Sequence, residues 1–153
     1  MLPYFEWLQT LPIGEMIRES RWLFPVIEAV HLVAFGIAGG MVLLVCLALL
    51  GYRVGAQRIS ELARDVRPWF VGSLITVVLT GVLLFLSEAV KCYNSTAFRI
   101  KIAALTAAVV LTMAAHARVT ADTTPRGVQK MSAAVMLLLW ALVAWGGRWI
   151  GLS

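Results

Sequence analysis

The sequence predicts an all-α integral membrane protein, an up-down four-helix bundle preceded by an N-terminal interfacial amphipathic segment. Composition is the first reason: of 153 residues, 61% are hydrophobic and 14% charged, against roughly 45–50% apolar residues in ordinary soluble domains. Spacing is the second, because the stretches 23–50, 69–90, 100–117 and 131–150 reach or approach the ~20 apolar residues of one bilayer crossing. Together they use most of the chain, which leaves a single membrane domain over 1–153 and no room for a soluble one. The third is where the charge sits. A net +5 with Lys and Arg at helix ends and in loops is the pattern that anchors and orients membrane helices, so it speaks for a lipid bilayer and against nucleic acid.

Residues 3–21 mix Phe5, Trp7, Leu8, Leu11, Ile13, Met16 and Ile17 with Glu6, Glu15, Arg18 and Glu19. Too polar to cross, this segment is expected to lie along the membrane surface as short helices broken at Pro3 and Pro12. Acids stand where a secretory signal needs basic residues, so the first apolar helix is expected to remain in the mature protein. Trp22 is expected at headgroup level where that helix turns inward. At about 1.5 Å per residue, 23–50 gives roughly 42 Å against a ~30 Å hydrocarbon core, so it must tilt, kink or protrude. Gly36, Gly39 and Gly40 give it a small-residue face suited to close approach of a neighbouring helix.

The basic connection "GYRVGAQRISELARDVRP" is expected to hold a short amphipathic helix, with the second crossing beginning after Pro68. That crossing carries Gly72, Thr76 and Thr80 at four-residue spacing, a packing stripe. Asn94, Ser95 and Thr96 are candidate caps for the third crossing, and "DTTPRG" separates it from the fourth. Cys46 and Cys92 lie too far apart along this path to be read as a bridge. Seven Lys and Arg flank the side with the 1–2 and 3–4 connections, and six the other. The long basic 1–2 loop is therefore placed in the cytoplasm and both termini outside, which in a bacterial inner membrane means the periplasm.

An up-down bundle gathers the start of the first helix, the end of the second, the start of the third and the end of the fourth at one membrane face. Glu28, His31, Glu88, Lys91, Tyr93, Lys101, Trp145 and Arg148 meet there. Ionisable groups among hydrocarbon cost about 2.5–3.5 kcal/mol on insertion scales and find a partner or a watery cavity. A carboxylate at Glu28, one turn from His31, would either favour imidazolium or fix the tautomer and free the other nitrogen for a metal or haem iron. Three readings stay open: polar glue between helices, a ligand role for His31, and proton handling or quinone contact. The two histidines are separated by roughly 21 Å of membrane depth, too far to share one iron in one subunit. His116, beside Arg118, is read as interfacial. No phosphate loop, Cys-x-x-Cys or Ser-His-Asp triad is present.

The segment "WLFPVIEAVH", Trp-x-x-Pro followed by Glu28-x-x-His31, with "FGIAGG" and "YNSTAFRIK", resembles a poorly characterised family of short four-helix bacterial membrane proteins. That resemblance implies a bundle in a bacterial inner membrane and no assigned activity. A looser similarity, a histidine in the first helix of a small bundle, is to b-type cytochromes and copper-export membrane domains. Those carry additional histidines at matched depths, which this chain lacks, so their haem sites do not transfer.

The sequence therefore points to a small membrane subunit for electron transfer, more in keeping with a non-enzymatic role, binding haem b or contacting quinone near the outer face. His31 is the candidate ligand, including for a metal, with Glu28 orienting it and Lys101, Arg148 and Trp22 as further contacts. A non-catalytic anchoring subunit of a complex or homo-oligomer is the second reading, and a proton-coupled carrier using Glu28, His31, Glu88 and Lys101 the third.

Overall fold

The computed structural model describes residues 6–8, 10–52, 58–120 and 125–152, apart from the side chains of 120 and 147–152. The N-terminal residues 1–5 and 9, and the loop containing Arg53, lie outside the described residues. Helices follow in the order α1 (Pro12–Glu19), α2 (Leu23–Leu50), α3 (Ile59–Ser87), α4 (Ala89–Asn94), α5 (Thr96–Thr120) and α6 (Arg126–Leu152). Within these, Leu23–Leu50, Ile59–Ser87, Thr96–Val119 and Arg126–Gly146 are long and apolar enough to cross a membrane. The chain is a multi-pass membrane protein.

α1 starts on Pro12, which suits a first helical turn because the missing N–H has no intrahelical partner there. Gly14 and Ile17 are buried while Ile13 and Met16 face outward, and the helix packs on α3 and α2. The chain then turns at Ser20, whose hydroxyl accepts the Leu23 backbone N–H at 3.2 Å and so satisfies one orphan donor of α2. The far end of α2 closes on Gly51, at φ 101°. Its N–H bonds to the Ala48 carbonyl and the Tyr52 N–H to the Leu47 carbonyl, a double closure that requires a left-handed residue.

Contrary to the sequence reading, the second crossing does not wait for Pro68. α3 begins ten residues earlier at Ile59, where the Arg58 N–H donates to Glu61 Oε2 at 3.3 Å, and Pro68 lies inside it. An interior proline costs about 3 kcal/mol. Leu62, Ala63, Val66 and Phe70 offset it, forming an inward stripe buried in the bundle core that only a continuous helix can present. Downstream, α4 fills the 2–3 turn. Ser95 then caps α5, its Oγ accepting the Phe98 N–H at 3.3 Å, as the candidate caps predicted.

Around the bundle the neighbours run α2, α3, α5, α6 and back to α2, so α2 and α5 are diagonal. The seams carry small residues, Ala38 on α2, Ala63 on α3, Ala108 on α5 and Ala133 on α6, all fully buried. In lipid, where the hydrophobic effect drives little between helices, such residues let backbones approach and gain dispersion contacts. Phe70, Met136 and Trp140 fill the centre. Large side chains such as Val33, Leu79, Val110 and Leu138 point outward, each more than 60% exposed, the surface a bilayer covers. The expected close approach at Gly36, Gly39 and Gly40 is absent among the described residues: a Cβ at any of the three would meet nothing within 4 Å.

Candidate functional site

His31 lies eight residues into α2, about 12 Å from its start and, for a centred 42 Å helix, roughly 6 Å below the hydrocarbon boundary. It shares the inward stripe of Ala38 and Val42 at helical spacing and is half-buried. Its Nδ1 lies 2.8 Å from Thr80 Oγ1 on α3. The direction of that bond follows from the hydroxyl's other commitment. Thr80 Oγ1 donates its single proton to the Thr76 carbonyl at 2.6 Å, so toward the imidazole it can only accept. With the hydroxyl proton assigned to that carbonyl, Nδ1 carries the ring proton. Nε2 is left as the lone-pair nitrogen.

Two further groups shape the site. The bare flank of Gly81 lies under the ring: an added Cβ would be 3.3 Å from His31 Cε1 and 3.8 Å from Nδ1. On the diagonal helix, Lys101 continues the inward stripe of Ala104, Ala108, Thr112 and Ala115 at its outer end. Its stem packs against α6, with Lys101 Cβ 3.4 Å from where a Cβ of Gly146 would stand. The ammonium is close enough to act on both His31 and Cys92. Among the described residues no carboxylate pairs with it. The neighbouring Glu88 instead faces Lys91 at 4.0 Å. In α4, outside the spans, burial pushes the Cys92 thiol up and the Glu88 charge adds to this, with Lys101 and Lys91 opposing.

The other predicted contacts fall elsewhere. Glu28 is exposed and has no ion pair or hydrogen bond among the described residues, so the expected orienting role passes from Glu28 to Thr80. The reason is angular: one turn before His31, Glu28 sits toward the rim of α2 while the imidazole points to α3. Trp22 is 80% exposed, as a headgroup-level residue would be, and does not join His31. The side chain of Arg148 lies outside the described residues.

His116, read as interfacial, lies three residues from the end of the Thr96–Val119 span and is packed inside the bundle there, 5% exposed. Its ring stacks on Phe70 at 6.1 Å and 15°, near the Ala63 backbone and Arg67. Phe70 meets Trp140 edge-on at 6.0 Å, and Trp140 Nε1–H donates to Thr112 Oγ1 at 3.3 Å. Thr80 and Phe70 mark the depths of the two histidines on α3, about 15 Å apart, which keeps them from sharing one ion. No group of three or more His, Cys, Asp or Glu among the described residues could hold a metal, so the metal reading of His31 has no protein-built ligand set there. A groove of about 510 Å³ runs between α2 and α3, lined by Val33, Ile37, Trp69 and Thr76 among others. It opens to the lipid side, and His31 does not line it.

A family model matches residues 4–153, nearly the whole chain. The protein belongs to DUF6644, a family of unknown function. Neither the curated proteins nor the solved structures contain a match. Function in this DUF6644 chain has therefore to be argued from the site itself.

Proposed function

We propose that the protein is a small integral membrane subunit for electron transfer, contacting a membrane quinone through His31 and Lys101. The Lys and Arg distribution supports both termini outside, and in a bacterial inner membrane, which the resemblance implies, the site would lie near the periplasmic face. One observation carries the reading: the Thr80 lock on Nδ1 leaves Nε2 as a directed acceptor, on the same inward-facing end of the bundle as an ammonium with no carboxylate partner among the described residues. A quinone head group, with oxygens at opposite ends of a flat apolar ring, needs few polar contacts in an otherwise apolar setting. Haem b is the other cofactor the imidazole could take, through Nε2. It fits less well, since the described residues give one imidazole at this depth and no second axial donor. The experiment is a visible spectrum of purified protein before and after dithionite, with quinone assayed in an organic extract and His31→Ala run in parallel. Quinone lost in the variant is expected. A protein with neither quinone nor a Soret band would remove this reading.

A second reading, an anchoring subunit or homo-oligomer, draws on Glu28 and the open glycine face. A carboxylate on the outside of a membrane helix calls for a partner or water, and small residues without a neighbour are the usual surface for helix association. A stable oligomer in mild detergent supports it; a lone monomer sinks it.

A further inference from the structure

The tautomer at His31 bears on which form of ligand the site takes. We infer that the His31–Lys101 site selects a hydroxyl that can give up its proton, the hydroquinone form of a membrane quinone, over the oxidised form; this rests on the quinone reading above. An oxidised quinone has only acceptor oxygens. Neutral His31 offers it nothing at Nε2, because the one ring proton is held at Nδ1 by Thr80. A hydroquinone O–H, by contrast, donates to Nε2. Lys101, without a carboxylate among the described residues, carries its charge at the same end of the bundle and favours the oxygen that gains charge.

The step this geometry supports is a proton transfer. The hydroquinone O–H bond breaks, its proton goes to Nε2, and its electron pair stays on the oxygen as a hydroquinone anion beside the ammonium. His31 becomes an imidazolium with both nitrogens protonated, Nδ1–H still donating to Thr80 Oγ1. No oxidant is consumed. Among the described residues the charged group that acts on the imidazole is Lys101 on α5; Glu88 at the junction of α3 and α4, with Lys91 and Cys92 on α4, gathers around Cys92, and Glu28 lies exposed on the rim of α2. Of the two carboxylates, Glu88 faces Lys91 and Glu28 is exposed, so neither competes for the Nε2 proton.

The test uses the full chain in nanodiscs under argon, with empty nanodiscs as the baseline for lipid partition. Decylubiquinol and decylubiquinone are titrated separately and the dissociation constants compared. Binding of the quinol about tenfold tighter or more is expected, the size of one charge-assisted hydrogen bond. Thr80→Val removes the acceptor that holds the proton on Nδ1 and should narrow the ratio, whereas Thr80→Ser keeps the hydroxyl and should preserve it. Lys101→Met should weaken both forms, since each sets an oxygen at the ammonium, and the quinol more, because its oxygen gains charge. Equal affinities, a tighter quinone, or a ratio indifferent to Thr80→Val each overturn this inference while leaving the quinone reading intact. Binding of neither form above the empty nanodiscs overturns the quinone reading itself.

Discussion

Replacing Gly81 by valine tests whether the helix seam or chance sets the imidazole. The α3 backbone lies so close to the ring that even a bare Cβ would stand 3.3 Å from Cε1. Alanine therefore asks the ring to give by a few tenths of an ångström, and the 2.8 Å bond to Thr80 survives within the usual N–H···O range. Valine adds two methyl groups beyond that Cβ, and the ring has to move by about an ångström or more, past the ~3.2 Å limit of the bond. Loss of the bond costs about 0.5–1.5 kcal/mol and the overpacking about 1–3 kcal/mol, so a total near 3 kcal/mol is expected. Thermal unfolding in detergent reads that cost. The more telling assay is 15N NMR of protein labelled at histidine. In the wild type and Gly81→Ala, His31 should show a protonated Nδ1 and an unprotonated Nε2; in Gly81→Val it should drift to the Nε2–H form that unconstrained imidazoles favour. A wild-type His31 protonated at Nε2, or a valine variant with an unchanged spectrum, would refute the argument.

Glu28→Gln should leave the His31 nitrogen spectrum unchanged and alter stability by less than about 0.5 kcal/mol, the usual range for a surface position; a shift of the His31 resonances would restore the paired arrangement the sequence suggested. Phe70→Ala, which removes the fully buried ring between His116 and Trp140, should cost about 3–5 kcal/mol in thermal or denaturant unfolding. Cys92, raised by burial and by Glu88, should alkylate more slowly at pH 8 than a free thiol and accelerate as pH climbs past the ordinary thiol range, because only the thiolate reacts. Glu88→Gln should speed that alkylation at pH 8.

The crossings were legible because lipid imposes a length and a composition that few other environments demand, and 23–50 coincides with α2 to the residue. The start of α3 was not legible. Arg64, Asp65, Arg67 and Pro68 read as a connection with a short amphipathic helix of its own, while what fuses it to the crossing through Pro68 is the burial of Leu62, Ala63, Val66 and Phe70, a tertiary term. The same limit applies at the site. His31 was found as a polar residue in an apolar run, and Lys101 by the up-down topology. Thr80 was seen only as part of a packing stripe, because pairing it with a residue 49 positions away requires the register between two antiparallel helices. Glu28 misled for the opposite reason: nearness along the sequence placed it beside His31, and the pointing of the two side chains did not. The spacing of His116, four after Thr112, carried the signal that it turns inward with the α5 core.

The vacant flank at Gly36, Gly39 and Gly40 makes the molecule its own reporter. Alanine placed there meets no atom of the described residues within 4 Å, so a lone copy should accept the added methyl without complaint. Should so small an addition disturb assembly or activity, the disturbance would point to a neighbour other than this chain, and the position at which it is worst would mark the contact.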